Sequence, residues 1–288
     1  MKNGSFFIPR EQIYPFFNPG EMNNQEGLYL CWETDPAIAH HVLPPQLKLL
    51  NPERPLVTAY VVNIREPTFA SWYMEGGIML LCSYGETTGG YFLNLQLSGP
   101  GAAMGMCSGR EFSGLPKKMC ERIVVERTGD CARAFIESKG KRIFDVDVEL
   151  GAYNNPLMTE FYKDAGPGRQ SRGSCLLFQY EPGRAPGGYV TFPKMSLLNY
   201  DSVLDYQSWD PACIKSIQME PSLDDPWAEL FVVKPLGAAY SKNSNRVLGV
   251  SNLAQFEGDE ADNLISHLFS GRWDRSTVSP GHQRYGQF

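Results

Sequence analysis

The sequence predicts a mainly β fold, a β-rich α+β protein with a few outer helices, and three observations carry that prediction. Twenty-eight glycines and twenty-one prolines interrupt the 288-residue chain too often for long helices to dominate. Apolar and acidic residues alternate cleanly over 143–150, where Phe144, Val146, Val148 and Leu150 take one face and the period of two is that of a half-buried strand. No internal repeat, low-complexity stretch or long linker divides the chain. One domain over residues 1–288 is therefore expected, with an N-terminal arm at 1–20 and a flexible tail at 275–288.

Taken in order, a first helix is expected to begin at Thr34 or Asp35, with Pro36 in its first turn, and to stop before Pro44-Pro45. Strands are expected at 56–64, 77–83, 90–97, 175–180, 189–198 and 229–233. The strand at 143–150 pairs with 134–137 through a turn at Lys139-Gly140. Residues 164–173, rich in Gly and Arg, read as a surface loop. The segment leading up to Pro116 and the two lysines holds too many glycines for an ordinary helix, whereas 259–270 reads as a helix with Ala261, Leu264, Ile265, Leu268 and Phe269 on its apolar face.

Composition excludes several function classes. Hydrophobic residues make up 42% and charged residues 20%, the balance of a globular protein with a substantial core. A net charge of −6 without any basic block argues against nucleic-acid or anionic-membrane partners. The longest apolar runs, such as Ile78-Met79-Leu80-Leu81-Cys82, are too short to span a bilayer. The first ten residues lack a signal peptide's apolar core, so a cytoplasmic location is expected. Seven scattered cysteines, none in a Cys-x-x-Cys spacing, fit reduced thiols better than disulfides or zinc. His40 and His41 are neighbours that face different ways on a helix, so no metal site is expected.

The most informative stretch is Gly109-Arg110-Glu111-Phe112-Ser113-Gly114-Leu115-Pro116-Lys117-Lys118. Two adjacent lysines follow Leu115-Pro116 and precede Met119-Cys120. A lysine carried into apolar surroundings loses water and favours its neutral, nucleophilic amine. The decapeptide by itself fits a strand end with two solvated lysines equally well. If the pair is extended, its side chains point to opposite faces, so only one can enter a pocket; where that one is Lys117, Lys118 faces outward as a structural cation paired with an acid.

This stretch resembles the active-site motif of the acetoacetate decarboxylase family, in which Gly-Arg-Glu, a short spacer and Pro-Lys-Lys recur. Thr34-Asp35-Pro36-Ala37, Val42-Leu43-Pro44, Leu56-Val57 and Tyr73-Met74-Glu75-Gly76-Gly77 fall where the family has similar residues. The resemblance implies a closed antiparallel β-barrel and a homo-oligomer, acting on a keto acid or ketone without a cofactor. It implies that Lys117 forms the Schiff base and that Glu75 moves protons beside it. Arg110 and Glu111 read as a scaffold pair, and Ser113 and Leu115 as substrate wall.

The departures from the family pattern bear on substrate. Gln25 stands where the family's decarboxylases carry an arginine, and Tyr60 where they carry a second glutamate. Arg65 is a nearby substitute. Tyr240 falls near a tyrosine of aldolase–dehydratase relatives, where a phenol serves as acid or base; a tyrosine packed at a strand end fits the same position. The expected activity is decarboxylation of a β-keto acid bulkier than acetoacetate. The alternatives are a lysine-dependent aldolase or dehydratase, and a binder without turnover.

Overall fold

Seven strands pair in succession, and the last pairs with the first. The computed structural model describes residues 6–17 and 20–276. In chain order its elements are α1 (Arg10–Phe17), β1 (Glu21–Glu33), α2 (Pro36–Val42), β2 (Lys48–Leu49), β3 (Leu56–Pro67), β4 (Tyr73–Tyr84), β5 (Thr87–Ser98), α3 (Ala102–Ser113), β6 (Lys117–Met119), β7 (Arg122–Thr128), β8 (Cys131–Ser138), β9 (Lys141–Leu150), α4 (Met158–Phe161), β10 (Gln170–Arg184), β11 (Val190–Gln218), a 3-10 turn (Pro226–Leu230), β12 (Lys234–Glu257) and α5 (Asp259–Leu268). The ring runs β10–β5–β4–β3–β1–β12–β11 and returns through β11–β10. From β11 the sheet also continues into β9, β8 and β7.

The ring departs from the antiparallel barrel expected. Its seam, β10 against β5, is parallel and two residue pairs long, Cys175↔Gly90 and Leu176↔Tyr91. The chain leaves β5 for the outer layer and comes back running in the same direction, a matter of connectivity that strand alternation does not encode.

Period-two alternation splits the side chains into two cores. Inside the ring lie Val62, Ile64, Phe92, Leu95, Leu97, Leu177 and Leu198. Outside it, β7–β9 fold over the ring and bury Trp32, Ile136, Phe144, Val146 and Trp227, with the Phe144 and Trp227 rings 5.2 Å apart. Gly76-Gly77 is required by both layers: a Cβ on Gly76 would lie 2.4 Å from Ile136 outside, and one on Gly77 2.9 Å from the Tyr60 ring inside.

Asp35 caps α2, accepting from the Ala37 and Ile38 amides, as the sequence predicts. The β8–β9 turn has positive φ at Lys139 (52°) and Gly140 (71°), the conformation of a two-residue hairpin. Four expectations change. Residues Ala102–Ser113 form a helix despite their glycines: Gly105 and Gly109, four apart on one face, let α3 lie directly on Tyr73, Leu97 and Lys117, and this packing outweighs weak propensity. The expected strand at 229–233 overlaps a 3-10 turn opened by Pro226, with Trp227 buried. Residues 170–173, expected in a loop, begin β10. At the tail, Ser276 is held, its amide donating to Asp224 Oδ1 at 2.8 Å; residues 277–288, like 1–5 and 18–19 of the arm, lie outside the described residues.

Candidate active site

One lateral row of the sheet builds the site. Tyr29 pairs with Tyr60, Tyr60 with Gly77, Gly77 with Leu95 and Leu95 with Lys117, so five strands bring these positions abreast on the inner face. Glu75 lies two residues along β4 from Gly77, on the same face. Because Gly77 has no side chain, the Tyr60 ring lies over it and its hydroxyl reaches Glu75 from β3, while Lys117 reaches the same carboxylate from β6.

The contacts are short. Lys117 Nζ is 2.7 Å from Glu75 Oε2, and the Tyr60 hydroxyl donates to Glu75 Oε1 at 2.7 Å. Beyond the ion pair, Glu75 Oε2 has no hydrogen-bond partner among the described residues. Lys117 and Glu75 are both buried, and the Lys117 ammonium lies 5.8 Å from the centroid of the Tyr73 ring. Burial foremost, then the charge of Glu75 and the hydrogen bond to it, push the Tyr60 phenol well above its ordinary value. Tyr60 therefore stays protonated and remains a donor to Glu75. Burial likewise raises the phenols of Tyr29 and Tyr200 and lifts the Cys175 thiol to about 12. These groups are neutral wall, not nucleophiles.

The row opens into a cavity of about 1030 Å³. Among its described lining residues, only Glu75, Lys117 and Arg172 carry charge; aromatic, aliphatic and glycine residues make up most of the rest, including Tyr29, Phe92, Leu95 and Trp209. Gln25 lies in this lining, buried, with no hydrogen-bond partner for its Nε2 among the described residues. Ser113 and Leu115 line it as well.

Three sequence assignments are placed differently. Lys118 does not face outward to solvent: it is 5% exposed and paired with Asp225 at 2.8 Å and Asp274 at 2.7 Å, because the layer behind β6 is covered by the C-terminal segment. Tyr240 is not among the cavity-lining residues; its face of β12 packs on the outer core, and its hydroxyl donates to Glu26 at 3.0 Å. Arg65 is half-exposed on Glu26 at 2.6 Å, so it does not stand in for a cavity arginine. Sequence reasoning missed Phe92, Cys175, Tyr200 and Trp209. No motif marks them: Phe92 is an ordinary apolar residue of β5, and Cys175, Tyr200 and Trp209 reach the cavity only through the long-range pairing of β10 with β11 and of β11 with β12.

The acetoacetate decarboxylase (ADC) family model matches residues 7–255. The chain belongs to this family. It is 32% identical over 283 residues to a CLA biosynthesis isomerase of Lactiplantibacillus plantarum, covering 98% of this chain and 99% of that one. Among solved structures, acetoacetate decarboxylase from Legionella pneumophila superposes with a TM-score of 0.66 at 18% identity, covering 83% of this chain and 88% of that one. The enduracididine biosynthesis enzyme MppR, complexed with pyruvate, superposes with a TM-score of 0.60 at 13% identity, covering 88% and 93%. At such identities these structures share the fold; the chemistry must be argued from the site. Among the described residues no cluster of His, Cys, Asp or Glu is arranged to hold a metal ion, and no helix is long and apolar enough to cross a membrane.

Proposed function

We propose that this enzyme binds a long, apolar keto compound through an imine to Lys117 and moves a proton along the carbon chain beside the carbonyl, isomerising a double bond. The observation that carries the reading is the Lys117–Glu75–Tyr60 contact in the wall of a large, mostly apolar cavity. A relative named an isomerase, similar over nearly the whole chain, supports the choice of reaction.

The steps balance without an external oxidant. Lys117 passes its proton to Glu75 and adds to the carbonyl carbon; Glu75 returns that proton to the departing hydroxyl, so water leaves as the C=N bond forms and Glu75 is again a carboxylate. The iminium draws electrons from the neighbouring carbon, and Glu75 removes a proton there to give a conjugated enamine. Reprotonation two carbons further along shifts the double bond. Water then releases the ketone and Lys117. Tyr60, held neutral, keeps Glu75 aimed between the two carbons.

Decarboxylation of a bulky β-keto acid is the second reading, favoured by family membership. There the C–C bond to the carboxylate breaks, its electrons pass into the iminium, and CO2 departs. A small carboxylate finds little to hold it: Gln25 offers an amide where bidentate recognition needs an arginine, and Arg172, the lining cation other than Lys117, is exposed on β10. Substrate binding must then come from apolar burial, about 0.8 kcal/mol per methylene. One experiment separates the readings. Medium-chain β,γ-unsaturated ketones and β-keto acids are supplied in D2O, with deuterium uptake, enone formation and CO2 release measured together. Isomerisation gives enone and deuterium without CO2, and kcat/KM rising about fourfold per added methylene until the cavity is filled. CO2 release that outpaces enone formation, or acetoacetate as the best substrate, overturns the reading.

A further inference from the structure

The segment after α5 lies beyond the residues that the family model matches, yet it touches the lysine motif at every second residue. Arg272 donates through Nη2 to the Gly114 carbonyl and to the Phe178 carbonyl at 2.8 Å, and through Nη1 to the Leu268 carbonyl at 3.3 Å. Gly271 lies against Pro116, where a Cβ would come within 2.9 Å of the proline Cβ. The Ser270 carbonyl accepts from Lys118 Nζ at 3.4 Å, and Asp274 pairs with the same amine. Gly114, Pro116 and Lys118 are thus gripped from behind, and the residue that points the other way into the cavity is Lys117.

Arg272 is 5% exposed and has no carboxylate partner among the described residues; its guanidinium donates to the main-chain carbonyls of Gly114, Phe178 and Leu268. Burial lowers its guanidinium to about 10, with Tyr91 and Tyr180 opposing the fall. A buried cation spent on carbonyls is a costly way to hold a surface tail, and a direct way to fix a backbone turn. Gly114 is the left-handed cap of α3 (φ 67°), so its carbonyl direction sets the path of Leu115-Pro116-Lys117. Arg110 closes the device from outside: its Nη1 donates to the Arg272 carbonyl at 3.2 Å and its guanidinium stacks 5.6 Å from the Trp273 ring.

We propose that Arg272 is a positioning residue, and that the Ser270–Asp274 stretch acts as a latch holding Lys117 on Glu75. The inference rests on Lys117 being the reactive group of the proposed function. Its test reads that amine in two ways. Borohydride trapping of 2-undecanone on full-length protein, followed by peptide mass spectrometry, gives a saturating rate constant, a half-saturating concentration and an amplitude. Loss of folded protein lowers the amplitude; a displaced lysine lowers the rate constant. Arg272→Met should cut the rate constant about tenfold, the scale of a misplaced reacting group, and leave half-saturation unchanged because the cavity wall is intact. Arg272→Lys should recover part of it. Arg110→Gln, at a partly exposed position, should fold and act in the same direction, and it decides the matter if Arg272→Met does not fold. Acetic anhydride labelling of Lys117 needs no imine, and its rate should rise several-fold in both variants as the amine loses its fixed place. If wild-type protein traps no ketone while this rate still rises, the proposed function fails and the latch stands. Wild-type rate constants in both assays for every variant that folds would overturn the latch.

Discussion

Lys117 and Lys118, consecutive in β6, hold their amines on opposite sides of the sheet, one 2.7 Å from Glu75 in the cavity and the other 2.8 Å from Asp225 behind it. Neighbouring charges are thereby separated by the sheet itself and answer to different partners. Asp225 is fully buried and also accepts from Gln96 at 2.6 Å and Ser138 at 2.7 Å, which makes the Lys118 side a structural node.

Substituting each lysine should separate chemistry from stability. Lys118→Met strands a buried carboxylate and should lower unfolding free energy by about 3 kcal/mol. Lys117→Met leaves Glu75 beside an open cavity, so it should unfold near the wild-type midpoint yet form no borohydride-trapped adduct. Denaturant titration with adduct mapping reads both. An adduct on Lys118 would contradict the arrangement.

Glu75→Gln keeps the shape of the site but removes the carboxylate that exchanges protons. Turnover should fall roughly a hundredfold with little change in Tm. Tyr60→Phe deletes only the donor that aims Glu75, and about tenfold is expected in kcat with KM nearly constant. Equal, wild-type turnover in both variants would remove the pair from the mechanism.

Gly109 tests how closely α3 must approach the lysine. A Cβ there would lie 2.8 Å from Lys117 Cδ and 2.9 Å from Cε, so the flexible side chain must shift. Alanine favours a helix over glycine by about 1 kcal/mol, which offsets the local crowding. Gly109→Ala should therefore leave Tm within a few degrees while turnover drops; a variant with full activity would show that Lys117 tolerates displacement.

Acid should loosen the layer behind the motif. Burial pushes the Asp224 carboxyl up, but hydrogen bonds from Ser276 and the charge of Lys139 outweigh it and hold it at about 2, below its ordinary 3.8. The folded value lies below the unfolded one, so this stabilisation is complete above about pH 4 and lost as pH falls through about 2. Its size is on the order of 2 kcal/mol. Asp274, lowered by Lys118 and Lys139 against its own burial, changes in the same sense. Unfolding free energy measured at about pH 5 and pH 2.5 should fall more for wild type than for Asp224→Asn; parallel losses would show that Asp224 contributes nothing.

What the sequence by itself determined is local. Alternation marked β9, the Lys139-Gly140 turn and the Asp35 cap follow from residue chemistry within a few positions, and the motif around Lys117 with Glu75 upstream named the pair that the structure brings within 2.7 Å. Tertiary structure decided whatever depends on non-local closure. Residues 102–113 are helical because glycine at 105 and 109 permits contact with a sheet that the local sequence does not show. Lys118 is buried because Asp225 and Asp274, more than a hundred positions away, cover it. Tyr240 is excluded from the cavity because a period of two assigns it to whichever face the register of β12 against β1 selects, and a one-residue slip would have reversed the choice. The cavity wall from β10 and β11 is set by the long antiparallel pairings of β11 with β12 and of β10 with β11, together with the two-residue parallel seam to β5, and no local pattern encodes which distant edge a strand will meet.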